Sequence, residues 1–136
     1  MAFVRVSDLS DEHQVPVYNE IEDNEFRLLY LEPGEEIDEI CCKIRRWPYG
    51  ISPKYEALSY EWGIKEGKQI SLDGHQVNIN KNLSDALLAL RLRYKRRIIW
   101  VDALCINQNN HTERNEQVAK MGQIYQDADR VVSWIG

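Results

Sequence analysis

Two stretches carry most of this chain's capacity for chemistry. In YEALSYEWG, residues 55–63, an apolar run breaks into Tyr60, Glu61, Trp62 and Gly63. In IIWVDALCINQ, residues 98–108, another breaks into Asp102, Asn107 and Gln108, with Glu113 a few residues beyond. Carboxylates in such places can move protons, and amide side chains can bond ligand hydroxyls. Each residue also has a structural reading. Glu113 stands three residues after Asn110, as in a capping box; Glu61 can be an exposed charge at a strand end. Asp102, Asn107 and Gln108 can serve to hold a loop through its N–H groups. Trp62 beside Gly63 is a less comfortable core residue than Trp100.

Other chemistries fit less well. Cys41, Cys42 and Cys105 form an odd set without a CxxC pair, so neither a disulfide framework nor a zinc site is expected, and no metal is called for. Cys105, Asn107 and His111 hint at a thiol protease, but that geometry draws its partners from separate elements rather than one loop. The seven glycines never form GxGxxG or GxxxxGK. A bound nucleotide would therefore rest on strand-end side chains and on the N-terminus of the helix over residues 113–126.

The net charge of -5 divides unevenly, close to -10 over residues 1–40 and +5 over residues 41–136. This points to an acidic lead-in, residues 1–25, folding over a mildly basic domain, residues 26–136. The run RLRYKRR, residues 91–97, has little aromatic interleaving and reads as a solvated helix end, so nucleic acid is not an expected partner. No apolar run approaches the roughly 18 residues of a membrane span, and MAFVRVSDLSDEHQ lacks the pattern of a secretory signal. A soluble, cytoplasmic protein without a membrane partner is expected.

The elements that must position these residues follow from periodicity. FRLLYL (Phe26 to Leu31) and IDEICCKIRRW (Ile37 to Trp47) read as strands joined at Pro33-Gly34, with Cys41 and Cys42 on opposite faces. Tyr55 to Tyr60 is a third strand. Gln69 to Leu72 and Gln76 to Ile79 flank an Asp-Gly turn. Leu83, Leu87, Leu90 and Tyr94 recur at helical spacing after a cap at Asn80 or Asn82. Arg97 to Val101 is apolar enough for a central strand. A helix capped by Asn110 or Thr112 follows, with Val118, Met121, Tyr125 and Ala128 as its stripe, and Arg130 to Ile135 reads as a last buried strand. Alternating strands and helices predict an α/β fold with a partly parallel sheet, to which the N-terminal strands and the β-hairpin are additions. Ligands of such sheets bind beyond the carboxyl ends of the strands, where both polar stretches lie.

YEALSYEWG, NLSDALLALR, IIWVDALCINQ and ERNEQVAKMGQIYQDADRVVSWIG, in that order, resemble the fungal heterokaryon-incompatibility (HET) domain over residues 26–136. The resemblance implies a module of fungal non-self recognition that triggers programmed cell death, self-associating or acting with other incompatibility proteins. It also implies a flavodoxin/TIR-like sheet, some TIR domains being NAD glycohydrolases. NAD would then be a substrate and no cofactor would be required. Cleavage of the nicotinamide bond would need a carboxylate near the ribose, Glu113 first and Glu61 second, and an aromatic wall from Tyr60 and Trp62. The alternative is a non-catalytic signalling module acting by self-association or partner recruitment. A third reading is a free-standing or truncated relative that regulates longer proteins of this type.

Overall fold

The computed structural model describes residues 18–61 and 67–135. Its seven strands are β1 (Glu25–Leu31), β2 (Cys41–Pro48), β3 (Glu56–Tyr60), β4 (Gly67–Leu72), β5 (His75–Asn80), β6 (Arg97–Trp100) and β7 (Arg130–Trp134). They form one mixed sheet in the order β5-β4-β2-β1-β6-β3-β7. The described helices are α1 (Lys81–Leu90), α2 (Asp102–Cys105) and α3 (His111–Asp127).

The apolar strands lie where burial is greatest. β6 runs between β1 and β3, antiparallel to the first and parallel to the second, and Ile99 and Trp100 are fully buried there. This is the central position its sequence predicts. β3 also pairs in parallel with β7, from Glu56↔Arg130 to Tyr60↔Trp134. The strands β6, β3 and β7 thus form a parallel trio whose carboxyl ends share one edge.

β1 pairs antiparallel with β2, placing Cys42 inside and Cys41 outside as strand alternation requires. The Asp-Gly hairpin forms as expected, with Asp73 and Gly74 both in the left-handed region (φ 49 and 82°) that a tight two-residue turn demands. It joins the sheet through a parallel contact of β4 with β2.

Four expectations are corrected. β2 begins at Cys41, not Ile37, because Glu35 and Asp38 close a turn through Asp38 N–H to Glu35 O and Glu35 N–H to the Asp38 carboxylate. α1 ends at Leu90, so Tyr94 is exposed instead of continuing the helical stripe. β7 is a half-exposed edge strand, not a buried one. α3 buries Glu113, Gln117 and Ile124, with Met121, Tyr125 and Ala128 packed beside them, while Val118 is exposed. Its inward face is polar where it meets polar groups at the start of β1 and just past β2; Gln117 donates to the Glu25 carbonyl and the Tyr49 hydroxyl.

Among the described residues no helix is long and apolar enough to cross a membrane.

Candidate functional site

The parallel trio brings Tyr60, the Trp100–Asp102 exit and Trp134 to one end of the sheet. Tyr60 and Trp134 are register partners on neighbouring strands. Asp102 opens α2 immediately beyond β6 and is 1% exposed. Burial dominates its ionisation and raises its pKa to about 7, although the Ala103 backbone N–H partly offsets this. Its negative charge is felt by Tyr60 and Tyr125, whose hydroxyls burial pushes well above the usual phenol range. The Tyr125 ring meets Trp100 edge-on at 5.5 Å.

Asn80 completes this cluster from the end of β5. Its side-chain oxygen accepts from Leu83 N–H at 2.8 Å, capping α1, and its amide lies beside Tyr60. Five buried polar atoms here fall outside hydrogen-bond geometry among the described residues: the Tyr60 hydroxyl and Asn80 Nδ2, which lie close enough to each other to interact, with Trp100 Nε1, Asp102 Oδ2 and Trp134 Nε1. An unsatisfied buried group costs about 1–3 kcal/mol, so such a concentration is not explained by folding alone. Four are donors and one belongs to a carboxyl group, a set suited to a ligand bearing hydroxyls or carbonyls.

Glu113 does different work. Its helix is capped by Asn110, whose side chain accepts from Glu113 N–H at 3.0 Å. Its carboxylate does not turn back as in a capping box. It takes a bidentate pair from Arg27, Nη1 to Oε2 at 2.5 Å and Nη2 to Oε1 at 2.7 Å, plus the Asn107 N–H at 2.7 Å. Arg27 also donates to the Asn19 and Cys105 carbonyls and lies over the Tyr18 ring. With Arg27 1% and Glu113 5% exposed, the pair is a buried clasp joining β1, the α2–α3 loop and the residues before β1. Removing one partner of such a pair strands the other charge, a loss of roughly 3–5 kcal/mol.

Asn107 and Gln108 are engaged in the same loop. The Asn107 side chain accepts from Asn109 N–H, and Gln108 Nε2 donates to the Asp102 carbonyl. Glu61 is exposed just past β3, and its carbonyl accepts from Asn82 Nδ2 at 2.6 Å. Trp62 and Gly63 lie outside the described residues. Cys105 is fully buried, which pushes its thiol up to about 12 and makes it a poor nucleophile. Among the described residues no group of three or more His, Cys, Asp or Glu side chains is placed to hold a metal ion.

Of the residues singled out in the sequence, the structure therefore joins Tyr60 and Asp102 and sets Glu113 into an ion pair. In the sequence Asn80, Tyr125 and Trp134 present only a cap, a helical stripe and a buried strand. Only the pairing of β7 with β3 reveals that Trp134 stands beside Tyr60.

Residues 55–136 match the family described as heterokaryon incompatibility protein (HET). The chain is 34% identical over 125 residues to heterokaryon incompatibility protein 6, OR allele, of Neurospora crassa, covering 81% of this chain and 18% of that protein. It is 31% identical over 94 residues to vegetative incompatibility protein HET-E-1 of Podospora anserina, covering 60% of this chain and 6% of the other. The chain thus spans less than a fifth of the length of either curated relative. No solved structure matches it.

Proposed function

The chain belongs to the heterokaryon incompatibility (HET) family, and from that premise we propose that it is a cytoplasmic module of fungal non-self recognition whose strand-end site triggers cell death by TIR-like cleavage of NAD. The observation that carries the reading is the convergence of Asp102, Tyr60 and Asn80 with Trp134 at the carboxyl ends of parallel strands.

Cleavage breaks the bond between the ribose C1′ and the nicotinamide nitrogen, and that bond's electron pair leaves with the neutral base. Water adds to C1′ and releases one proton, giving ADP-ribose. Positive charge develops on the ribose in between, so a carboxylate close by lowers the barrier. Asp102, near half ionised at neutral pH, fits that part and can take the proton from water. Tyr60 and Asn80 supply donors for ribose or carboxamide oxygens. Glu61, exposed at the rim, is the second carboxylate. Glu113 supports the site as the clasp on Arg27.

The test is nicotinamide release from NAD by the purified chain under crowding. Asp102→Asn and Tyr60→Phe are expected to lower turnover by about a hundredfold and tenfold, in the range of acid–base and hydrogen-bonding contributions. No release, or release insensitive to Asp102→Asn, Glu61→Gln and Glu113→Gln alike, refutes the enzymatic reading.

A non-catalytic module acting by self-association or with other incompatibility proteins is the second reading. The full commitment of the Glu113 carboxylate to Arg27 favours it, as does the uneven charge along the chain. Light scattering that shows a monomer at every concentration and salt level would remove the self-association part of that alternative.

A further inference from the structure

At the opposite end of the parallel trio, where β3, β6 and β7 begin, a cleft of about 590 Å³ is lined by Lys54, Lys95, Arg96, Arg97 and Arg130 against Glu56 and Asp129. Five cations face two carboxylates in a chain whose total is -5. They come from four separate places, the turn before β3, the link between α1 and β6, and the first residues of β6 and β7.

The floor of the cleft is fixed. Glu56 accepts from Arg97 Nε at 2.5 Å and Arg97 Nη2 at 3.0 Å, and also from Arg130 Nε. Those hydrogen bonds, with Arg97 the larger contributor, hold its carboxyl at about 2, so it stays ionised at any ordinary pH. Two guanidiniums share this one carboxylate, which leaves a positive charge over. Arg130 uses only its Nε on Glu56 and is 65% exposed, so its terminal nitrogens are available to the cleft. Lys54 and Lys95 have no ion-pair partner among the described residues. Arg96 is occupied by Glu32 and the Tyr30 ring.

We propose that this cleft is a binding site for a small polyanion carrying two adjacent phosphates, held by Lys54, Lys95 and the free nitrogens of Arg130. The volume lies within the roughly 300–1,000 Å³ of small-molecule sites. The cations line one open cleft instead of running on along the surface as a stripe, which suits a compact ligand better than a nucleic-acid backbone. Three cations match the charge of about -3 that a diphosphate carries near neutral pH better than the charge of about -1.5 to -2 of a single phosphate. The cleft is distinct from the Asp102 cluster, because β3 separates their ends by its five residues, roughly 17 Å of strand.

The experiment is calorimetric titration of the full 136-residue chain with inorganic pyrophosphate and, in parallel, orthophosphate, at low and high salt. Saturable pyrophosphate binding, at least about tenfold tighter than orthophosphate and weakened at high salt, is expected. Lys54→Gln with Lys95→Gln should weaken it about tenfold more, whereas Lys68→Gln on the remote hairpin should not, and circular dichroism should show all variants folded. Arg130→Gln is the second probe, since it leaves the Arg97–Glu56 pair in place. Non-saturating heats, equal affinity for both anions, or indifference to the lysine and arginine changes would overturn the proposal. Displacement of pyrophosphate by an equimolar peptide of residues 1–17 would also overturn it, assigning the cleft to the chain's own acidic segment.

Discussion

Asp102 is the residue where folding and chemistry pull in opposite directions. Burial raises its pKa from 3.8 to about 7, so the folded chain binds that proton more tightly than the unfolded chain does. Its contribution to stability is full below the unfolded value and is lost as pH rises through the folded one. About three units correspond to roughly 4 kcal/mol between pH 4 and pH 8. Denaturant unfolding across that range should show the loss in the native chain and a flatter profile in Asp102→Asn, and parallel profiles would show that burial does not govern this carboxyl. The same residue marks how far sequence reading reaches. A carboxylate emerging from IIWV is visible as anomalous, whereas Glu113 presents the spacing of a helix cap and hides its true partner. Arg27 stands 86 residues earlier inside EFRLLYL. Nothing local to either residue signals the pair.

Elements were legible where their periodicity is strong and misread where a distant contact ends them. The leucines of α1 are spaced to continue toward Tyr94, but Arg91 turns extended and donates to the Asp38 and Glu39 carbonyls, and to that of Glu35. That grip on the β1–β2 connection outweighs local helix propensity. The opposite end of α1 is readable to within two residues, since the sequence offers Asn80 or Asn82 as the cap and Asn80 is the one that caps. Its side chain serves two ends, capping α1 with its oxygen and offering Nδ2 to the strand-end cluster. Substitution can separate the two roles. Asn80→Ala should lose about 1 kcal/mol through the missing cap, while Asn80→Ser should retain most of that stability because a hydroxyl also caps. If both are equally destabilised in thermal unfolding, the amide nitrogen matters to the fold itself and not only to a ligand.

At the scale of the molecule, the strand order decides which parts open first. The alternation of strands and helices predicts parallel pairing, but it does not say that β7 crosses to the far side of β3. Its half-polar exposure follows from that edge place. β1 and β6 are enclosed by strands on both sides and carry Leu28, Leu29, Ile99 and Trp100 without exposure. β7 is paired on one side only and leaves Val131 and Arg130 outward. Local opening follows such differences in burial. Amide hydrogen exchange should therefore find β1 and β6 opening only with global unfolding, while β7 exchanges faster by at least about tenfold. Trp134 lies on that less stable strand and faces Tyr60, so the strand-end site is built half on the rigid centre and half on the edge that yields. Equal protection of β7 and β6 would contradict this division, and protection of β7 that grows with protein concentration would place the edge in an assembly contact.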